Sequence, residues 1–187
     1  QFDQLPNHLW HYSVTGPAME EAFKAIAKPG DRIGGVVLSS GSAGTMGAGS
    51  YIRERHSGAK VGVGEALQCP TILENGFGDH RIEGIGDKHI PWIHNMRETD
   101  MAIGIDDELP IRLIRLFNEP AGHAVLREAG VSQADIDALP LMGISGVGNM
   151  LAAIKMAKYY EMDEGDVVFT MFTDSMAMYG SRIEELD

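Results

Sequence analysis

At 187 residues the chain is long enough for one well-buried core, and a single α/β domain spanning 1–187 is expected. Lys and Arg number 15 against 27 Asp and Glu, a formal net charge of −12 that argues against nucleic acid and anionic membrane surfaces as partners. The single cysteine, Cys69, excludes an intrachain disulfide framework and suits a reducing compartment. No apolar run approaches the roughly 20 residues of a spanning helix, and no signal-like start is present. A soluble, cytoplasmic protein is the expectation, and the start at Gln1 in mid-domain-like sequence reads as part of a longer chain.

In chain order, residues 1–14 read as an irregular lead-in carrying Phe2, Trp10 and Tyr12. Thr15-Gly16-Pro17 predicts a helix start, with Thr15 as N-cap, proline in the first turn, and Glu20 and Glu21 near the positive end of the dipole. Met19, Phe23 and Ile26 lie three or four apart and predict one buried face, and Pro29-Gly30 ends the helix. From Gly34 to Arg55 the chain reads GGVVLSSGSAGTMGAGSYIRER. The β-branched run Val36, Val37, Leu38 predicts a strand, followed by a loop of glycines and hydroxyls and then a helix beginning near Thr45. Lys60 to Ala66 predicts a second strand. Leu67 to Pro91 is dense in Gly, Pro, Asn and Asp, a long loop of the kind that usually carries function. Thr99 to Ile105 predicts a strand, and Asp106 or Asp107 then caps a helix through Asn118 whose apolar side is Ile111, Leu113 and Ile114. Glu119 to Leu139 reads as two short helices split at Gly130, with Ser132 and Asp135 as a capping-box-like pair. Gly146 to Tyr160 has Met150, Leu151, Ile154 and Ala157 at helical spacing, and Asp166 to Thr173 predicts a buried strand. Strands alternating with helices predict an α/β fold, a mostly parallel sheet with helices on both faces.

The chemistry concentrates in the glycine loop. Gly41, Gly44 and Gly47 permit positive φ and close approach of a ligand, and the first N–H groups of the following helix lack carbonyl partners. Phosphate fits such a place, and Ser42 and Thr45 add hydroxyl donors. An ordinary βα turn with small residues for packing is the alternative. The histidines show no HExxH or paired spacing, so no metal site is expected. No GxSxG elbow exists. Cys69 lacks a cationic neighbour and reads as an inert side chain, and the eleven methionines as core filler. Glu65, roughly 20 residues past the loop, stands where a dinucleotide-binding fold places the acid on a ribose hydroxyl, which keeps a nicotinamide-dependent oxidoreductase as an alternative. The loop GSAGTMGAG does not hold GxGxxG in its usual register.

These residues also resemble the second half of the tryptophan synthase β-like, fold type II pyridoxal-phosphate enzymes, in the cysteine synthase and cystathionine β-synthase branch. The lead-in Gln1-Phe2, His11-Tyr12 and Thr15-Gly16-Pro17 is similar to the family's QF…HY…TGP. Gly41-Ser42-Ala43-Gly44-Thr45 resembles its phosphate loop GTGGT, and Gly84-Ile85-Gly86 with Ile90-Pro91 its GIG…IP. Gly143-Ile144-Ser145-Gly146 resembles GISSG, and Thr173-Asp174-Ser175-Met176-Ala177-Met178-Tyr179 resembles PDSGERY. Five motifs fall in the family's order.

The resemblance implies the larger-domain half of such an enzyme, with pyridoxal 5'-phosphate as cofactor. Its phosphate would lie on Gly41, Ser42, Ala43, Gly44 and Thr45, its ring beside Gly84, and its pyridine nitrogen against Ser175. The reaction implied is β-elimination or β-replacement on an amino acid, by an enzyme that is a homodimer at full length. Asp87, Lys88 and His89 replace small residues of the family and become candidates for the substrate mouth, with a solvent-facing role as the alternative. The stretch 113–141 is longer than in the common synthases. No catalytic residue is expected within this chain, because the family's Schiff-base lysine belongs to the first half. Lys24, Lys28, Lys60, Lys155 and Lys158 fall on predicted helices or turns, and Lys88 has no supporting motif. A non-catalytic phosphate-ligand binding module is therefore also kept.

Overall fold

The computed structural model describes residues 2–184, so Gln1 of the lead-in motif lies outside the described residues. Helices α1 (Leu5–Trp10) and α2 (Gly16–Ile26) are followed by β1 (Arg32–Ser39), α3 (Met46–Arg55), β2 (Lys60–Ala66) and the single turn α4 (Thr71–Glu74). Strand β3 (Met101–Ile105), helices α5 (Glu108–Asn118), α6 (Pro120–Glu128), α7 (Gln133–Ala138) and α8 (Ile144–Tyr159), strand β4 (Asp166–Phe169) and α9 (Gly180–Glu184) complete it. The four strands form one all-parallel sheet in the order β3-β2-β1-β4.

Alternation along the strands sorts the core into two layers. Val36 and Leu38 of β1 join Val61 and Val63 of β2 on the face covered by α2 and α3, through Met19, Met46 and Ile52. Val37 points to the other face, with Ile103 and Ile105, under Ile111 and Ile114 of α5 and Val147, Ala152 and Met156 of α8. Both faces are thus buried, which is the condition for a parallel sheet.

Several elements differ from the sequence-based expectation, each for a local reason. The lead-in is helical: α1 runs through a π-helical turn, His11–Thr15, directly into α2. Thr15 is therefore helical (φ −68°, ψ −44°) and makes no side-chain cap. Pro17, lacking an N–H, sits where the chain changes from wide to regular turns. Ile26, expected on a buried face, is 62% exposed at the last residue of α2, while Met19 and Phe23 pack inward. Of the two candidate caps of α5, the Asp106 carboxylate accepts the Glu108 amide (3.1 Å), whereas Asp107 accepts from the Arg81 amide (2.8 Å). The bond from the Glu108 amide, more than that from the Gln68 carboxamide, holds the Asp106 carboxyl below its ordinary range. Ser132 does cap α7, accepting from the Asp135 amide at 3.1 Å. Helix α8 buries Ile144, Gly148, Ala152 and Met156 rather than the predicted stripe, and leaves Ile154 49% exposed. Small residues let it lie close on the sheet; a Cβ at Gly64 would stand 3.4 Å from that of Ala152. Strand β4 ends at Phe169 and is half-buried throughout, because it is an edge strand. Among the described residues no single helix is long and apolar enough to cross a membrane.

This packing makes Gly35 intolerant of a side chain. A Cβ there would meet Met156 Cε at 2.5 Å and the Lys60 carbonyl oxygen at 2.7 Å, and the carbonyl cannot swing aside. Gly35→Ala is expected to cost about 1–3 kcal/mol, read as a lower urea midpoint with an unchanged denaturant slope.

A second prediction concerns His94, which is buried, with Nε2 against Thr99 Oγ1 (2.9 Å) and Nδ1 without a partner. Burial, with a smaller effect from the His8 charge, lowers its pKa from 6.5 to about 4. The fold thus favours neutral imidazole, and the unfolded chain binds the proton more readily between those values. Stability due to His94 is complete above pH 6.5 and is lost as pH falls toward 4, on the order of 3 kcal/mol at most. His94→Gln should flatten that part of the stability-against-pH curve measured by chemical unfolding.

Candidate functional site

The order β3-β2-β1-β4 contains one reversal. From β1 the chain moves by α3 to β2 and β3 on one side, and by α8 to β4 on the other. Crevices open at the carboxyl ends of strands at such a point. Here a cleft of about 370 Å³ lies beyond Ser39 of β1 and the segment after β4, within the range of small-molecule sites.

One end is the glycine loop. The amides of Ser42, Ala43, Gly44 and Thr45 find no carbonyl partner among the described residues, while Met46, Gly47 and Ala48 already donate to carbonyls three residues back. The unpaired amides stand at the N-terminus of the ten-residue α3, where partial positive charge accumulates. Asn7 Nδ2 donates to Ser42 Oγ at 3.1 Å, which leaves the Ser42 hydroxyl proton for a ligand. Thr45 Oγ1 donates to the Ser39 carbonyl at 3.3 Å, so its hydroxyl is already engaged.

The glycines serve differently from the expectation. Positive φ falls on Ala43 (60°), whereas Gly44 and Gly47 are needed for closeness. A Cβ at Gly44 would stand 2.4 Å from the Asn7 carboxamide, and one at Gly47 2.2 Å from the His8 carbonyl oxygen. The lead-in helix is thereby pressed onto the loop. Across the mouth, Gly84 and Gly86 take φ of 83° and 87°, and the Gly86 amide donates to the Ser40 carbonyl at 2.9 Å. Gly41 and Gly84 both line the cleft, which places the loop and ring candidates around one space.

At the other end stand two hydroxyls, Ser145 of α8 and Thr173, with their oxygens 3.2 Å apart. Ser175 is half-buried and extended (φ −127°, ψ 168°), starts a 3₁₀ turn, and is not among the cleft-lining residues. Asp174 turns away from the cleft. Its Oδ2 accepts from Tyr179 Oη (2.5 Å), and its carbonyl accepts the Gly143 amide at the start of α8 (3.0 Å). Burial, then the Asp174 hydrogen bond, raises the Tyr179 pKa and keeps the phenol protonated.

Asp87, Lys88 and His89 lie just beyond Gly86, beside the cleft rather than in it. The Asp87 carboxylate accepts the Lys88 amide (2.6 Å) and its carbonyl accepts from Thr71 Oγ1 (2.6 Å). His89 stands between Asp87 and Asp3, and Lys88 Nζ is 5.5 Å from the Phe77 ring centroid. Cys69 is buried, with Sγ 3.7 Å from Thr71 Oγ1. Glu65 is 2% exposed, and its two carboxylate oxygens accept the amides of Ile72 (2.9 Å) and Leu73 (2.8 Å). It is committed to capping α4, so the dinucleotide reading loses its ribose acid. Among the described residues no three His, Cys, Asp or Glu side chains come together as metal ligands.

Sequence reasoning missed Phe2, Asn149 and Met171 in the cleft wall. Asn149 had a signal, as a polar residue in the otherwise small and apolar run Val147–Ala153. Phe2 stood in the lead-in motif without a site role, and Met171 had no signal.

No protein-family model matches the chain. A probable cysteine synthase from Bacillus subtilis (strain 168) is 30% identical over 180 residues, covering 96% of this chain and 51% of the relative. The curated relatives of this chain are cysteine synthases, which are fold type II pyridoxal-phosphate enzymes. The chain spans about half the length of the curated relatives it matches. A hydrogen sulfide-producing enzyme from Fusobacterium nucleatum, in a variant solved with an alpha-aminoacrylate intermediate, superposes with a TM-score of 0.75 at 27% identity. That match covers 95% of this chain and 47% of the other. An O-acetylserine dependent cystathionine beta-synthase from Helicobacter pylori gives 0.69 at 25% identity, covering 94% and 49%.

Among the described residues the cleft lining carries no charged side chain, so an anion there would rely on the Ser42–Thr45 amides, the Ser42 hydroxyl and the α3 terminus. Titration of labelled chain with inorganic phosphate is expected to move the Gly41–Thr45 amide resonances first. Shifts confined to another region would overturn the loop as the anion site.

Proposed function

We propose that this chain is the cofactor-phosphate half of a pyridoxal-phosphate enzyme that performs β-elimination or β-replacement on an amino acid. The observation that carries the reading is the set of four unpaired amides at the head of α3, opening into a cleft at the sheet's reversal point. The cysteine synthase and hydrogen sulfide-producing relatives support the reaction class.

Bound pyridoxal phosphate supplies an electron sink for charge developing at the substrate α-carbon. The residues of this chain bind and orient. Gly41, Ser42, Ala43, Gly44 and Thr45 hold the phosphate, and Gly84 leaves room beside the ring. Three hydroxyls compete for the pyridine nitrogen: Ser175 by motif, Ser145 and Thr173 by position. Any of them is a neutral partner that leaves the nitrogen unprotonated, since burying a ring cation needs an opposite charge beside it. Asp87, Lys88 and His89 remain outer-rim candidates for substrate contact. The full-length enzyme is read as a cytoplasmic homodimer, with exposed Leu5, Trp10 and Trp92 as apolar surface to cover by its other half or a second subunit.

Among the described residues the cleft lining contains no lysine, which favours one further reading, a non-catalytic module for phosphate ligands. Under either reading this 187-residue chain should form no specific Schiff base. Borohydride treatment with pyridoxal phosphate, followed by peptide mapping, is expected to give only scattered substoichiometric labelling. A stoichiometric label on one lysine, Lys88 for example, would show that the chain holds its own covalent group.

The nitrogen partner can be assigned by affinity. A neutral hydrogen bond is worth about 1 kcal/mol, or roughly fivefold in binding. Ser175→Ala is expected to weaken pyridoxal phosphate binding by about that factor while sparing inorganic phosphate. If Thr173→Val has that effect and Ser175→Ala none, the role passes to the hydroxyl pair in the cleft.

A further inference from the structure

Strands β1 and β4 pair from Arg32–Asp166 to Val36–Phe169 and then separate. Beyond that point side chains replace the ladder. Thr170 Oγ1 donates to the Val37 carbonyl at 2.7 Å. Past it, the Asn149 carboxamide bridges the gap: its Oδ1 accepts from Ser39 Oγ, and its Nδ2 donates to the Met171 carbonyl at 2.9 Å. Asn149 is 4% exposed, so these partners are not exchanged for water.

The two anchor points are also the two ends of the cleft. Ser39 leads into the glycine loop, and its carbonyl accepts from Thr45 Oγ1. Met171 precedes Thr173 by two residues, and Thr173 meets Ser145, one helical turn before Asn149 on α8. A single buried side chain on one rigid helix therefore spans from the loop that would take phosphate to the segment that would meet the ring.

We propose that Asn149 is a positioning residue that sets the distance between the phosphate end and the hydroxyl end of the cleft; this rests on the cofactor reading above. A carboxamide is suited to the task because it accepts on one side and donates on the other. A carboxylate would still accept from Ser39 but would face the Met171 carbonyl with no proton to give. The phosphate end would survive that change, and the register between the ends would not.

The test compares the 187-residue chain with its Asn149→Asp and Asn149→Ala variants. Each is titrated with inorganic phosphate and with pyridoxal 5'-phosphate, following amide resonances. In the parent chain, phosphate should move Gly41–Thr45 alone, and pyridoxal phosphate should move Gly41–Thr45 and Thr173 together. In Asn149→Asp, phosphate affinity should stay within twofold, pyridoxal phosphate affinity should fall at least tenfold, and the Thr173 shift should vanish. Asn149→Ala should show the same pattern more weakly, and carries the test if the buried carboxylate prevents folding. Equal loss of both ligands, which a merely structural role would produce, or loss of neither, overturns the role of Asn149. A parent chain that binds phosphate but shows no Thr173 shift with pyridoxal phosphate overturns the cofactor reading, and the proposal with it.

Discussion

The pairing of β1 with β4 stops at Phe169 because the chain leaves the two strands in different directions. β1 runs on into the glycine loop and α3 on one face of the sheet, while α8, which delivers β4, lies on the other. No helix can cover the gap between the two strand ends. The cleft is that gap, and each feature of the site is a way of holding it open or lining it. Gly44 and Gly47 bring the lead-in helix onto the loop, Gly86 ties a second loop to Ser40, and Asn149 crosses the opening.

A strongly acidic chain with an anion site poses an electrostatic question, which magnitudes resolve. The helix terminus contributes about 0.3–1 kcal/mol at an exposed site, whereas each hydrogen bond to a charged group contributes roughly 1.5–3. Four unpaired amides therefore outweigh the dipole. They act at contact distance, while the acidic residues act through solvent and are screened beyond about 8–10 Å. The absence of carboxylates from the cleft lining among the described residues matters more than the net charge of −12.

Asp174 and Glu65 illustrate how neighbouring carboxylates are kept from that space. Glu65 spends both oxygens on the amides of α4, and Asp174 is turned toward Tyr179 and the start of α8. Each satisfies a helix end or a phenol that would otherwise lie buried without a partner. A cofactor would thus meet amides, hydroxyls and one carboxamide, a set that leaves a pyridine nitrogen neutral.

Much of this was legible in the amino-acid sequence. Val36–Leu38, the glycine loop and the small residues of α3 specify strand, turn and helix through local propensity and backbone freedom, and five motifs in order carried the family resemblance. The helical lead-in, the buried face of α8 and the shortness of β4 were not legible, since each depends on which neighbour covers the element. Glu65 shows the same limit: its position matched a ribose acid, yet the turn to α4 brought two amides within reach and consumed it. Ser145, Asn149 and Thr173 are up to 28 residues apart and meet only because β4 inserts beside β1. Local sequence dictates how an element is made. The order in which parallel strands assemble is decided by long-range packing, and it is that order which places the end of β1, one turn of α8 and the segment after β4 around a single cleft.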